Sequence, residues 1–183
     1  MITAIIIIAI AAIIFFWGIG VQRKLVEKEE FCKNSMSQIG VQQNSRWDAI
    51  TALVDLIKSY NEHEYRTIKD VIAQRREING NSSASEADAQ DAAFTKVFGQ
   101  IKAVAENYPD IKAIDTYNKT MDSVNMYENQ VRMSRMVYND TVTNYNKIVR
   151  QFPESLIASL LKFALKDYLK DPEGKTDMPS TKI

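Results

Sequence analysis

Polar and charged residues interrupt two otherwise apolar helix seams of this sequence. The positions that continue the seam between Ile57 and Ile68 are Asn61 and Glu64, and the corresponding interruptions in a later helix are Glu128 and Arg135. A charge buried on such a seam costs several kcal/mol unless it is paired. We therefore predict that Glu64 meets Arg135 across a helical bundle. The remaining members of this predicted buried polar network are Arg46, Asn61 and Glu128.

Two interpretations of this network are open. A polar layer can fix the register of packed helices, and ion-pair networks are often structural. We favour that interpretation. The alternative is a ligand sensor or an enzyme that uses a buried polar site at Glu64, Glu128 and Arg135, which would require a cavity that reaches solvent.

No further group of residues indicates catalysis or metal binding. His63 is the only histidine and lies between Glu62 and Glu64, whereas the common zinc sites need several clustered ligands. The sequence has no Gly-rich phosphate loop and no nucleophile elbow. We predict no catalytic residue, no metal and no cofactor, and hence a protein that is not an enzyme.

Two further patterns concern the C-terminal part. The pair Tyr138-Asn139 recurs seven residues later as Tyr145-Asn146, which we interpret as helix packing with satisfied polar tips. A last helix is predicted over Ser155 to Lys170. Its leucine-rich face is opposed by a row of three lysines, Lys162, Lys166 and Lys170. Such a row suits an anionic membrane surface, although docking on the end of the bundle explains the same pattern.

The N-terminal segment determines where these residues are held. Met1 to Val21 contains no charged residue and is long enough to span a bilayer, which takes about 20 residues. A signal peptide would need a basic n-region and a small-residue cleavage site, and neither is clear here. We predict a transmembrane anchor over residues 1–22. Arg23, Lys24 and Lys28 follow it, which favours a single-pass protein with a cytoplasmic main domain.

Helical periodicity continues through the rest of the chain. The anchor helix is expected to continue out of the membrane. Gly40 and the polar stretch 42–45 weaken it, and two alternatives stay open, an interruption there or a merger with the next helix. Further helices are predicted over about 47–78, from the capping box Ser83–Glu86 to Tyr108, over about 110–151, and at the C-terminal side of Pro153. Short loops favour antiparallel neighbours. The prediction is an all-α fold, with a four-helix-bundle-like, coiled-coil-patterned domain over residues 23–170 and a disordered tail over 171–183.

Composition excludes one class of partner. The chain of 183 residues has 23 basic and 23 acidic residues, so its net charge is zero, and no basic block marks a nucleic-acid interface.

Two blocks of this sequence resemble the LemA family. The first block contains Ser37-Gln38-Ile39, Val41-Gln42, Arg46, Asp48, Leu53-Val54, Lys58, Tyr60 and His63-Glu64. The second contains Tyr108-Pro109, Glu128, Val131, Arg135, Tyr138-Asn139, Val142, Tyr145-Asn146, Val149 and Phe152-Pro153. The resemblance implies a bacterial cell-membrane protein with an N-terminal anchor and a helical bundle inside the cell, and it brings no established enzymatic activity.

Three functional hypotheses follow from the sequence. The first is a membrane-anchored, non-enzymatic scaffold that forms homo-oligomers or docks protein partners, because confinement to a membrane raises the effective concentration of weakly interacting copies. The second is the ligand sensor or enzyme described above. The third is a membrane-remodelling protein that acts on lipid through its last helix.

Overall fold

A computed structural model describes residues 1–73 and 75–170, and none of these residues is in a strand. Helix α1 (Ile2–Lys58) is a single helix of 57 residues. Among the described residues it is the one helix long and apolar enough to cross a membrane. The all-α fold with an apolar N-terminal helix is therefore confirmed. The predicted tail, residues 171–183, lies outside the described residues.

Helix α1 passes Gly40 without an interruption, so the first predicted helix merges with the start of the second. A Cβ atom at Gly40 would lie 1.9 Å from the carbonyl oxygen of Ile78. Gly40 therefore allows the segment before α3 to cross close to an unbroken helix. The sequence pattern singled out Gly40 but did not predict this close approach of Ile78.

The predicted helix over 47–78 is divided between two elements. Helix α1 ends at Lys58 and α2 (Glu62–Ala73) begins after a turn. The Oδ1 atom of Asn61 accepts hydrogen bonds from the backbone N–H groups of His63 and Glu64, at 3.0 and 3.1 Å. Asn61 thus caps the N-terminus of α2, a position that asparagine favours.

Helix α3 (Ala84–Asn107) begins with the predicted capping box. The backbone N–H of Ser83 donates to Glu86 Oε2 at 2.7 Å, and the N–H of Glu86 donates to Ser83 Oγ at 3.2 Å. The predicted helix over 110–151 is interrupted near its start. A short α4 (Pro109–Lys112) precedes α5 (Asp115–Arg150), which is 36 residues long.

The last helix is shorter than predicted. Helix α6 (Glu154–Leu160) is followed by Lys162, whose φ of 61° lies in the left-handed region. Residues 163–170 are not helical. We call Ala164–Lys170 the strap. Consequently Lys162, Lys166 and Lys170 do not form one row on a helix face.

Beyond the apolar N-terminal segment, α1 packs antiparallel to α5, and the two helices form the centre of the bundle. Near the apolar segment, Leu25, Met36 and Ile39 of α1 share a buried cluster with Val142 and Tyr145 of α5. A second buried cluster lies farther from that segment and joins α1, α2, α3 and the first half of α5. Its members include Trp47, Ile50, Leu53, Ile68, Phe94, Val97, Ile101 and Val124.

Candidate functional site

Arg46 is the centre of a buried charged cluster between α1, α3 and α5. Its side chain is 0% exposed. Its Nη2 atom lies 2.5 Å from Asp91 Oδ1, and its Nη1 atom lies 2.6 Å from Glu128 Oε2. The guanidinium carbon is also 4.0 Å from the centre of the Phe94 ring. These contacts compensate the loss of hydration that burial imposes on the charge.

Arg135 extends the same cluster along α5. Its Nη2 atom lies 2.7 Å from Asp88 Oδ1 and also donates to the backbone carbonyl of Lys170. Its Nη1 atom is 3.8 Å from Asp91 Oδ2. Asp91 therefore contacts both arginines, and the two buried cations are paired with carboxylates from α3.

The predicted pairing of Glu64 with Arg135 is wrong. The carboxylates that Arg135 contacts are Asp88 and Asp91, whereas Glu64 lies in the first turn of α2. Asn61 is the cap of that helix, and its Nδ2 atom donates to the Tyr108 hydroxyl at 3.3 Å. Of the predicted network, the structure brings Arg46 and Glu128 into direct contact.

The two aspartates of the cluster do not lie on the helix seams that indicated Glu128 and Arg135. Asp88 and Asp91 are one turn apart near the start of α3. Acidic residues in that region are ordinary on a solvated face, since they suit the helix dipole. Their spacing of i and i+3, just before Phe94, is the signal that could have identified them.

This arrangement is typical of a structural layer. The cleft beside it has a volume of about 230 Å³, is lined by Phe94, Phe98, Lys102 and Val124, and reaches Glu128 alone of the proposed site residues. Among the described residues, no three His, Cys, Asp or Glu side chains could together hold a metal ion. The geometry therefore gives little basis for a ligand site that uses Glu64, Glu128 and Arg135 together.

The repeated Tyr-Asn pairs hold the strap against α5, which the sequence did not reveal. Asn146 Nδ2 donates to the carbonyl of Lys166 at 2.9 Å, and the N–H of Lys166 donates to Asn146 Oδ1 at 3.0 Å. Asn139 binds Leu169 in the same two-bond manner, at 3.1 and 2.9 Å. We call Tyr138, Asn139, Tyr145 and Asn146 the Tyr-Asn ladder.

The tyrosines of the ladder bind carbonyl groups with the same spacing. The Tyr145 hydroxyl donates to Ala164 at 2.9 Å, and the Tyr138 hydroxyl donates to Asp167 at 3.3 Å. Seven helical residues rise about 10.5 Å, and three extended residues span about 10 Å. The repeat of seven along α5 therefore matches a repeat of three along the strap, running in the opposite direction. All of these bonds are made to backbone N–H or C=O groups. The ladder therefore fixes the path of the strap backbone and does not depend on the side chains of the strap.

Burial further favours the neutral form of both tyrosines of the ladder, the form that can donate these bonds. Loss of hydration raises the pKa of Tyr138 and the pKa of Tyr145 to about 12 each. Both tyrosines belong to the same buried cluster as Cys32, and burial raises the pKa of the Cys32 thiol. Lys166 adds a charged contact between the strap and α1, because its Nζ atom lies 3.2 Å from Glu29 Oε1.

Comparison with known proteins identifies a family and several relatives that are similar to this chain. The LemA family model matches residues 35–182. The LemA protein of Metamycoplasma hominis is 22% identical over 153 residues, which cover 81% of this chain and 68% of that protein.

Magnetosome proteins are also similar over a shorter region. Magnetosome protein MamQ 2 of Paramagnetospirillum magneticum is 31% identical over 87 residues, which cover 47% of this chain and 32% of that protein. Magnetosome protein MamQ of Magnetospirillum gryphiswaldense is 27% identical over 94 residues, which cover 51% of this chain and 35% of that protein. The matched region thus spans about a third of the length of these magnetosome relatives.

Proposed function

This chain belongs to the LemA family, and we propose that it is a membrane-anchored, non-enzymatic scaffold whose bundle self-associates within a bacterial membrane. The observation that carries the proposal is an exposed apolar surface along the α1/α5 pair. It combines with a helix that enters the bundle directly from the apolar N-terminal segment.

The first part of α1 supports the membrane anchor. Every residue from Met1 to Trp17 is exposed, and burial against the bundle begins around Gly18. Exposure of these isoleucine and phenylalanine side chains to water would be unfavourable, whereas contact with lipid removes them from water. Because α1 continues without a break to Lys58, the anchor and the bundle share one rigid element.

The apolar surface lies on the side of α5 that faces away from the core. It contains Met126, Met133, Met136 and Val137, which are between 49% and 65% exposed. Met133 and Val137 line a groove together with Gln38 of α1, and Val41, one turn farther along α1, is also exposed. We call Val41, Met126, Met133, Met136 and Val137 the methionine stripe. Flexible methionines are common at surfaces that bind other proteins.

A second copy of this chain is the partner that suits the methionine stripe. Copies anchored in one bilayer through the same N-terminal helix point in the same direction, so surfaces that run along the helix axis can face each other about a two-fold axis. Confinement to the membrane raises their effective concentration. The net charge of zero also adds little repulsion between copies.

Cross-linking from the methionine stripe tests this proposal. We expect Met133→Cys, in a Cys32→Ala background, to give a covalent dimer with a short bis-maleimide in native membranes. The matched control is Lys96→Cys, an exposed position on α3. A dimer from Met133→Cys and none from Lys96→Cys supports self-association through the stripe. Equal yields, or monomer from both variants, would overturn it.

We also propose that the bundle lies in the cytoplasm. Arg23, Lys24 and Lys28 follow the apolar segment, and basic residues are retained on the cytoplasmic side. The Lys96→Cys protein, in the Cys32→Ala background, is expected to react with a membrane-impermeant maleimide only after the cells are lysed, because Lys96 is exposed and lies outside the methionine stripe. Labelling in intact spheroplasts would show the opposite orientation.

A further inference from the structure

The membrane end of the bundle carries a second apolar surface, on α6. Leu156 and Leu160 are 61% and 76% exposed, and Phe152 and Leu161 at the two ends of the helix are exposed as well. Ala158 and Ile157 on the opposite side pack into the cluster that contains Val21 of α1. A helix of seven residues with apolar groups on both sides is unusual beside water.

The position of α6 along α1 shows what this surface meets. A Cβ atom at Gly18 would lie 3.6 Å from the Cδ1 atom of Ile157, so α6 lies directly against Gly18. The helical rise from Ile2 to Gly18 is about 24 Å, which is less than the roughly 30 Å of a hydrocarbon core. The first charged residue of the chain, Arg23, comes after Gly18. Helix α6 is therefore level with the membrane boundary when α1 spans the bilayer.

The chain on either side of α6 is mostly basic. Between Asp140 and Asp167 the sequence contains a single acidic residue, Glu154, which is half-buried at the start of α6. Exposed basic side chains occur on the two helices that pack with α6 and directly after it, namely Arg23 and Lys24 of α1, Lys147 and Arg150 of α5, and Lys162. An apolar surface with a basic rim is the composition of a segment that lies in an anionic membrane interface.

We infer that α6 inserts its leucines into the anionic leaflet from which α1 emerges, so that the bundle has a second attachment to the membrane. The bonds of Lys166 to Glu29 and to Asn146 hold the residues that follow α6. Leucines of α6 and the surrounding basic side chains thus make the lipid contact, rather than the lysine row expected from the sequence. The inference requires α1 to span the bilayer but is independent of self-association through the methionine stripe.

Spin-label accessibility of the full chain in liposomes tests this inference. Labels are placed at Leu156→Cys and Leu160→Cys in the Cys32→Ala background, in vesicles of phosphatidylcholine and phosphatidylglycerol. The control is Lys119→Cys, exposed near the start of α5 and far from the membrane. For each label we compare the collision rate with oxygen to the collision rate with a water-soluble nickel chelate. We expect this ratio to be at least several-fold higher for the two α6 labels than for the label at position 119.

Each outcome of this experiment distinguishes between the possible neighbours of α6. Water-like values at all three positions would overturn the inference. Protection from both reagents, with spin broadening that disappears on dilution with unlabelled protein, would assign the surface to a second copy and overturn it too. In vesicles of pure phosphatidylcholine we expect the two α6 labels to lie less deep in the bilayer. An unchanged depth there would show that the basic rim does not contribute to the lipid contact.

Discussion

Replacing Arg46 with methionine should destabilise the bundle by about 3–5 kcal/mol, the usual loss when one partner of a buried ion pair is removed. Asp91 is 16% exposed and would keep only the more distant Arg135, at 3.8 Å. Glu128 would lose its contact with the arginine, although its carboxylate is partly exposed and can regain water. The contact of the guanidinium with Phe94 would be lost as well.

Urea unfolding in detergent micelles measures this loss. Trp47 is a buried neighbour of Phe94, with ring centres 5.1 Å apart, and reports on the same region by fluorescence when Trp17 is replaced with phenylalanine. The matched control is Arg75→Met. Arg75 pairs with Asp48 at 3.0 Å, but both side chains are exposed, so a loss below about 1 kcal/mol is expected.

A double mutant separates the effect of the unpaired carboxylate from lost packing. Asp91→Asn should be destabilising alone, because both arginines contact Asp91. In the Arg46→Met background it should recover stability, because it removes the charge that the first substitution left without its nearest partner. Losses that simply add would show that the charge of Asp91 is not coupled to Arg46. A loss for Arg46→Met no larger than for Arg75→Met would contradict a buried ion pair.

Sequence reasoning located the charged cluster better than it identified its contacts. The seam of the fourth predicted helix indicated that Glu128 and Arg135 are inward-facing, because a face is a local property of a helix, and Arg46 was expected near them. The partner of a buried charge depends instead on the rotation and height of a different helix. Glu64 and Asp88 were equally plausible acidic residues on those terms. Helix α1 ends at Lys58, and Glu64 lies on the separate helix α2, whereas Asp88 lies on α3.

The strap illustrates a different limit. Its leucines and lysines have helical spacing, and local periodicity therefore predicted a helix up to Lys170. Its backbone groups are instead bound by Asn139 and Asn146, which are 30 and 20 residues away in sequence from the residues they bind. Lys162 in the left-handed region turns the chain back along α5. Long-range hydrogen bonds to the strap backbone thus outweigh the local preference for a helix. The Tyr-Asn repeat is the feature of the sequence that corresponds to these bonds.

Removing both asparagines of the ladder should release the strap while the helices stay folded. Asn139→Ala and Asn146→Ala together delete four hydrogen bonds to Lys166 and Leu169. At about 0.5–1.5 kcal/mol per bond, the loss is about 2–6 kcal/mol. We therefore expect the amide hydrogens of Lys166 and Leu169 to exchange about 30-fold faster or more.

Hydrogen exchange followed by mass spectrometry distinguishes release of the strap from general unfolding. Peptides from the buried parts of α1 and α5 should keep their protection in the double variant, because their own helical bonds are intact. Asn144→Ala changes an exposed asparagine of the same helix and should leave the strap unchanged. If the strap keeps its protection without Asn139 and Asn146, burial of Leu169 and the two tyrosine hydroxyls suffice to hold it, and the asparagines are not its clamps.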